Sequence, residues 1–350
     1  MENKVKILGV VKMFCSICEE EHNVELIEVE REIEIKGEKV KHKEKMYRCN
    51  KYTEENTFET GEIWNENLIN SYDAYRRQNN LLTSKEIKQI RNKYKITQLE
   101  MAKLLGVGDI TVTRYETKQI QDEAHDKIMK LIDENALIAL EYLEKNKEKF
   151  QKGERYETIE NNIKTVIVKE TLNYLNEQEI EAKYVNFLEK NTENGNTSLE
   201  INKTEAIINY ISQYYPHLYK VKLMKLLWYI DSIAYKENKK SLTGLVYTHQ
   251  KMGALPIAYD ELLKLPSIKV EEEIIDKENY SVCYHILPNE NYKLKVKLTE
   301  SEKEICDRVI NKFKNFTTKE LINYMHNEKA YTDTKPNEII DFSYAKFVEI

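Results

Sequence analysis

Three cysteines near the start of the chain have the residue type and spacing of a metal site. Cys15 and Cys18 form a Cys-x-x-Cys pair, and Cys49 follows later in the same segment. Thiolates at such spacing hold zinc in small β ribbons, where the metal takes over the role of a hydrophobic core. The three cysteines therefore predict three of the four ligands of a zinc site.

The position that should supply the fourth ligand departs from this pattern. A second knuckle would end at Tyr52, and tyrosine is a poor structural zinc ligand. His22 or His42 could complete a site of three thiolates and one imidazole. A degenerate knuckle with free thiols is the alternative, because a structural site normally needs four closed ligands.

The remaining cysteines and several histidines are isolated and have no ligand or catalytic spacing. The residues concerned are Cys283, Cys306, His249, His285 and His326. No Ser-His-Asp order, phosphate loop, HExxH motif or close carboxylate pair stands out in the sequence. The sequence therefore favours a binding protein and not an enzyme.

Residues 97–128, TQLEMAKLLGVGDITVTRYETKQIQDEAHDKI, have the pattern of a helix-turn-helix. Thr97 is a good N-cap, and Gly106 can end the first helix with a positive φ. A second short helix should follow and bury Val112 and Tyr115 against the first. Double-stranded DNA is the partner that this motif predicts.

The outward face of the second helix supplies the candidate contacts to DNA. Arg114 can pair with a guanine edge or a phosphate, and Gln98 can pair with a phosphate at the first helix's N-terminus. We assign Asp109 to capping the second helix, since its charge would repel phosphate. The predicted DNA-binding residues are Thr97, Gln98, Ile110, Thr111, Thr113, Arg114 and Lys118.

Local charge supports this prediction although the whole chain is acidic. The 350 residues carry a net charge of -6, whereas residues 83–121 contain eight Lys or Arg and four Asp or Glu. A basic module within an acidic chain fits contact with phosphates.

The sequence predicts an α+β fold that is mainly helical. Alternating apolar residues indicate a small N-terminal β ribbon, and NTENGNTS at 191–198 is the best linker. Capping boxes of the form Thr-x-x-Glu should open helices at Thr299 and Thr317. The predicted domains are a ribbon at 1–62, a helix-turn-helix domain at 63–150, a helical linker at 151–200 and a mostly helical domain with a few short strands at 201–350.

Helical periodicity after the helix-turn-helix predicts a surface for self-association. Ile128, Leu131, Ile132, Leu137 and Leu140 form an apolar stripe suited to core or dimer packing. We expect a homodimer, because helix-turn-helix proteins usually read paired half-sites.

The chain shows no sign of membrane insertion or export. Its apolar runs are shorter than the ~18 residues that span a bilayer, and MENKVKILGV lacks the pattern of a signal peptide. An odd number of cysteines, five, fits a reduced compartment. We expect a cytoplasmic protein with no membrane partner.

Taken together, residues 12–135 resemble the MqsA-type antitoxins, which carry an N-terminal zinc ribbon and an Xre-like helix-turn-helix. The resemblance rests on the order Cys-x-x-Cys, hairpin, Cys, then AYRRQNNLLTSKEIKQIR and the helix-turn-helix segment. It implies that the DNA-reading arginine of that family corresponds to Arg114. Tyr52 departs from the family's metal ligands.

Residues 202–345 resemble a second family, the Panacea or SocA-like domain found in antitoxins. KVKLMKLLWYIDSIAYKENKKSLTGLVYTHQKMGALPIAYDELLKL carries the match, although the commoner Gly-Pro-x-Pro reads Gly253-Ala254-Leu255-Pro256. The resemblance implies that this domain binds and neutralises a protein toxin. It also implies repression of the protein's own operon through the helix-turn-helix.

Aromatic side chains in this domain are candidate anchors for such a partner, because interface hot spots are enriched in them. Helical spacing favours a core role for Trp228, whereas Tyr247 and Tyr259 lie nearer the predicted loops. The predicted toxin-binding residues are Trp228, Tyr229, Asp231, Tyr247, Gly253, Pro256 and Tyr259.

Two other functions fit the same sequence. A stand-alone transcriptional regulator would bind DNA without a toxic partner. A proteolytic adaptor would deliver a client protein to a protease.

Overall fold

The computed structural model describes residues 5–52, 54, 56–151, 155–276 and 281–350. The chain divides into two compact units, Met1–Glu170 and Thr171–Ile350, and the boundary falls within one long helix. Within the described residues the fold is α+β and mainly helical, as predicted. Its described helices include none that is both long and apolar enough to cross a membrane.

The first unit begins with an antiparallel sheet in the order β1-β2-β3-β4. Lys36 and Gly37 connect β2 to β3 with φ values of 52° and 83°, as a two-residue hairpin requires. The predicted ribbon is therefore present, and its two long strands pair without a register shift. The strands are β1 (Lys6–Cys15), β2 (Glu20–Ile35), β3 (Glu38–Arg48) and β4 (Thr57–Phe58).

Among the described residues, helices α1 to α6 follow the sheet, and all of them except α4 begin at a side-chain N-cap. Thr97 caps α3 through a capping box with Glu100, and Gly106 ends that helix at φ 77°. The cap of α2 is Thr83, which forms a capping box with Glu86. The helices are α1 (Gly61–Gln78), α2 (Ser84–Lys93), α3 (Gln98–Leu105), α4 (Thr111–Thr117), α5 (Glu123–Glu134) and α6 (Ala136–Lys145).

The start of α4 differs from the prediction. The helix begins at Thr111, and its N-cap is Ile110, which makes no side-chain capping bond. The assignment of Asp109 to this cap is therefore wrong. Gly108 and Thr111 close the preceding turn instead, through a 2.9 Å bond from the Thr111 amide to the Gly108 oxygen.

Helix α7 (Tyr156–Lys183) passes from the first unit into the second. Ile159 and Ile163 are buried in the core of the first unit. Ile180 and the following Tyr184 are buried in the core of the second. Each unit therefore uses one end of this helix as part of its own core.

The second unit is built around α9, most of whose side chains are buried. Thr299 and Thr317 open α11 and α12 through capping boxes, as predicted. Residues 191–198 form turns within this unit, where Asn194 is buried. The named elements are α8 (Ile201–Tyr214), α9 (Lys220–Asn238), β5 (Tyr247–Gln250), β6 (Gly253–Pro256), α10 (Tyr259–Leu262), β7 (Ile268–Asp276), β8 (Ser281–Pro288), α11 (Glu300–Phe313), α12 (Thr318–His326) and α13 (Lys329–Thr332).

Candidate metal and DNA-binding sites

The sheet of the first unit brings four potential metal ligands together. The ligand atoms of Cys15, Cys18, His22 and Cys49 all lie within 4.8 Å of one another. Cys15 ends β1, Cys18 lies in the following turn, His22 lies near the start of β2, and Cys49 follows β3. Three thiols and one imidazole form a donor set that suits tetrahedral zinc. The residues present therefore fit a structural zinc ion.

The structure distinguishes between the two candidate histidines. Nε2 of His22 lies 3.5 Å from Sγ of Cys49, whereas Nε2 of His42 lies 2.9 Å from a carboxylate oxygen of Glu44. Tyr52 is 52% exposed and is not part of the cluster. His22 is therefore the residue that would supply the fourth ligand.

Local hydrogen bonds prepare these side chains for a metal. Nδ1 of His22 lies 2.9 Å from the backbone oxygen of Asn23, which favours a proton on Nδ1 and leaves Nε2 free to coordinate. Burial opposes ionisation of Cys15, but hydrogen bonds from the Cys18 backbone and from His22 outweigh it and lower the pKa of the thiol to about 6. Burial and the neighbouring Cys15 raise the pKa of Cys18. A bound cation would stabilise both thiolates.

Helices α3 and α4 have the packing expected of a helix-turn-helix. Val112 and Tyr115 are buried, while Ile110 and Arg114 are exposed. Thr97 and Lys118 are also exposed, and Gln98, Thr111 and Thr113 are partly exposed. The outward face contains Thr111 and Arg114 at helical spacing, and Lys118 follows as the C-cap of α4.

A chain of hydrogen bonds fixes α4 against α2 and α3. Arg91 donates to the carboxylate of Glu116 at 2.9 Å, and the amide of Gln98 donates to the same carboxylate at 2.7 Å. The Thr113 hydroxyl in turn donates to the Gln98 side-chain oxygen at 2.9 Å. Because Gln98 and Thr113 satisfy each other, part of their hydrogen-bonding capacity positions the motif.

Arg76 of α1 also holds α4, through backbone oxygens at the C-terminal end of that helix. The residue is 1% exposed, and its guanidinium donates to the backbone oxygens of Tyr115 at 2.6 Å and Gln119 at 2.8 Å. Asp73 and Gln121 accept its remaining bonds at 2.7 Å and 2.9 Å. A buried cation thus satisfies carbonyl groups at the C-terminal end of α4. Nothing in the sequence around Arg76 predicted this role.

In the second unit, four of the predicted toxin-binding residues lie in the core. Trp228, Tyr229, Asp231 and Tyr247 are at most 1% exposed. Trp228 and Tyr247 pack edge to face with ring centroids 5.2 Å apart. In this conformation their side chains are buried within the domain.

Asp231 organises the loop before β5. Its carboxylate accepts bonds from the Leu242 amide at 2.9 Å, the Thr243 amide at 3.0 Å and the Tyr247 hydroxyl at 2.7 Å. Burial raises the pKa of Asp231 to about 6, and these hydrogen bonds limit the rise. Asp231 therefore links α9 to the strand that carries Tyr247.

The other three predicted residues lie on and after β6. Gly253 has a φ of 104°, and a Cβ there would lie 2.5 Å from Sδ of Met325. Pro256 is buried, whereas Tyr259 is partly exposed. The ammonium of Lys220 lies 4.6 Å from the centroid of the Tyr259 ring. Tyr259 is thus the member of the predicted set whose side chain is accessible.

Comparison with known protein families agrees with the interpretation of the helix-turn-helix and of the C-terminal domain. Residues 87–132 match the family described as helix-turn-helix, and residues 223–332 match the family described as antitoxin SocA-like, Panacea domain. No curated protein and no solved structure matches the chain.

The chain therefore contains an Xre-like helix-turn-helix domain and a C-terminal SocA-like Panacea domain. The cysteine cluster is consistent with the zinc ribbon that the resemblance implies. Domains of these two types are typically non-enzymatic.

Proposed function

We propose that this protein is an antitoxin of a type II toxin-antitoxin system. Its Panacea domain binds and neutralises a protein toxin, and its helix-turn-helix represses its own operon in the cytoplasm. The observation that carries this proposal is the presence of both matched domains in one chain. A repressor that also binds a toxin can adjust its own synthesis to the amount of toxin.

The geometry of α4 supports operator binding. Arg114 is exposed on a helix held by Arg91 and Glu116 on one side and by Arg76 on the other. A preorganised helix loses little conformational freedom when it enters a major groove. In this proposal Arg114 contacts base edges or phosphates, and Thr97, Ile110, Thr111 and Lys118 complete the interface.

A homodimer is part of the proposal. Leu131 and Leu137 are 36% and 53% exposed on α5 and α6, so two members of the predicted stripe are accessible. Ile132 of the same stripe is buried in the unit's own core. Association through the accessible leucines would present two copies of α4 to paired half-sites.

Toxin binding is assigned to the Panacea domain, with Tyr259 as the accessible aromatic contact. Its ring lies next to Lys220, whose ammonium lies 2.7 Å from Asp260. The rest of the predicted set would act indirectly, since buried Trp228, Asp231 and Tyr247 maintain the shape of the domain.

The test is a tagged pull-down from native cells, followed by mass spectrometry of stoichiometric partners. We expect a small protein that halts growth when expressed alone and does not do so when co-expressed with this chain. A Tyr259→Ala variant should lose this protein, whereas Tyr214→Ala, which removes another exposed tyrosine of the same unit, should retain it.

Other outcomes identify the alternatives. Recovery of DNA without a toxic partner would favour a stand-alone regulator. A co-purifying protein whose degradation depends on this chain would favour a proteolytic adaptor.

A further inference from the structure

An open cleft of about 430 Å³ separates the tip of the β2–β3 hairpin from the end of α4. Lys36 lines it from the hairpin, and Tyr72 lines it from α1. Lys118, Gln119 and Asp122 line it from the segment that follows α4. Two parts of the first unit that are far apart in sequence thus share one concave surface.

The hairpin is held firmly in this position. Ile35 and Val40 of the hairpin form a buried cluster with Tyr75 and Ile120. Farther along β3, the side chain of Asn67 exchanges two hydrogen bonds with the backbone of Lys45, at 2.8 Å and 2.7 Å. Because α1 also holds α4 through Arg76, the hairpin tip and α4 keep a fixed relationship.

The cleft lies at the end of the face proposed to read DNA. Thr111 and Arg114 lie three residues apart on one side of α4, and Lys118 follows directly as the C-cap of that helix. Lys118 is both the last of these residues and part of the cleft lining. Since a helix in the major groove is flanked by phosphates, the backbone of a bound duplex would pass close to this cleft.

Two acidic groups near the cleft already have partners. Asp122 accepts the His125 amide at 2.8 Å and lies 2.7 Å from the His125 ring. Glu38 accepts a bond from the side-chain amide of Asn79 at 2.9 Å. The exposed ammonium groups of Lys36 and Lys118 therefore remain the cations best placed to meet an anion.

We propose that the β2–β3 hairpin is a second DNA-contacting element, in which Lys36 and Lys118 together bind a backbone phosphate beside the groove read by α4. This inference rests on the proposed operator binding. The contact is to the sugar-phosphate backbone, so it anchors the protein without reading sequence.

The test uses the full chain and a duplex that the wild-type protein has selected from a random pool. We expect Lys36→Ala to weaken binding roughly threefold to tenfold and to reduce the slope of log K against log salt by about 0.9. Base preference, determined by repeating the selection, should not change. Lys36→Glu should weaken binding further. Because both lysines contact the same phosphate, combining Lys36→Ala with Lys118→Ala should reduce the salt slope by no more than Lys36→Ala alone does.

The matched control is Lys43→Ala, which removes an exposed lysine of the same hairpin whose ammonium pairs with Glu28 at 3.1 Å. Its salt slope should equal that of the wild type. Equal slopes for Lys36→Ala and Lys43→Ala, with both variants folded, would overturn the hairpin contact while leaving operator binding intact. A wild-type chain that selects no duplex would overturn operator binding itself, and the hairpin contact with it.

Discussion

Nη2 of Arg76 lies 2.6 Å from the backbone oxygen of Tyr115, which links α1 to the proposed DNA-reading helix. The same nitrogen lies 2.8 Å from the oxygen of Gln119, just beyond that helix. A cation near a helix C-terminus interacts favourably with the helix dipole, and burial strengthens the interaction. Arg76 therefore connects α1 to the C-terminal end of α4.

Arg76→Ala should destabilise the first unit by about 3–5 kcal/mol, because it leaves the buried carboxylate of Asp73 without its cation. Hydrogen exchange in α4 should become faster, which mass spectrometry can follow peptide by peptide. Arg77→Ala is the matched control, since the neighbouring arginine is exposed. Equal exchange rates in the two variants would contradict the role given to Arg76.

Arg114→Ala should reduce affinity for a selected duplex by about 1–3 kcal/mol and relax its base preference. The melting temperature should stay within error of the wild type, because the side chain is exposed. Lys127→Ala, which removes an exposed cation from α5, serves as the control for net charge. Fluorescence anisotropy with the selected duplex and with a single-base variant of it measures both the affinity and the base preference, and unchanged affinity for Arg114→Ala would rule out its proposed role.

His22→Ala should remove stoichiometric zinc from the purified protein, because the remaining thiols of Cys15, Cys18 and Cys49 leave the tetrahedral site open. Chelation should have the same effect on the wild type and should destabilise the sheet, since metal binding contributes to folding. His42→Ala should retain zinc. Elemental analysis after dialysis distinguishes the variants, and full zinc occupancy in His22→Ala would exclude this ligand set.

The sequence predicted the features whose causes lie within a few neighbouring residues. Thr97 and Glu100 are three positions apart, and the positive φ of Gly106 depends on its lack of a side chain. The alternation of apolar residues along β2 is equally local. Such signals located the ribbon and the helix-turn-helix because backbone preference and tertiary packing agree there.

Features that depend on distant parts of the chain were not predictable in the same way. Arg76 and Arg77 are indistinguishable locally, and only the fold brings carbonyl groups to the first of them. His22 and His42 both lie on the predicted ribbon, but strand register decides which one meets Cys49. Tyr247 looked accessible near a loop, yet its hydroxyl reaches the buried Asp231.

A fragment of residues 171–350 should fold, whereas 201–350 should not. The longer fragment retains Ile180 and Tyr184, which are 0% and 2% exposed in the second unit's core. Tyr184 also donates to the backbone oxygen of Ile257 at 3.0 Å. Losing both Ile180 and Tyr184 should lower the free energy of unfolding by roughly 5 kcal/mol or more. Thermal unfolding by circular dichroism tests this, and identical cooperative transitions for both fragments would show that α7 is dispensable.

Lys225 gives a pH dependence that a single variant can isolate. Its side chain is 2% exposed, its ammonium has a backbone oxygen 3.2 Å away at Ala254, and burial lowers its pKa from 10.5 to about 7. The folded state therefore pays the full cost of burying a charge below pH 7, and this cost falls as pH rises from 7 towards 10.5. The stability of the wild type relative to Lys225→Met should rise across that window, with each pH unit worth about 1.4 kcal/mol at most.

Lys240→Met, which changes an exposed lysine, should differ from the wild type by a constant amount. Urea unfolding at pH 6, 7, 8 and 9 provides the comparison, and parallel curves for the wild type and Lys225→Met would mean that Lys225 stays charged in the folded protein.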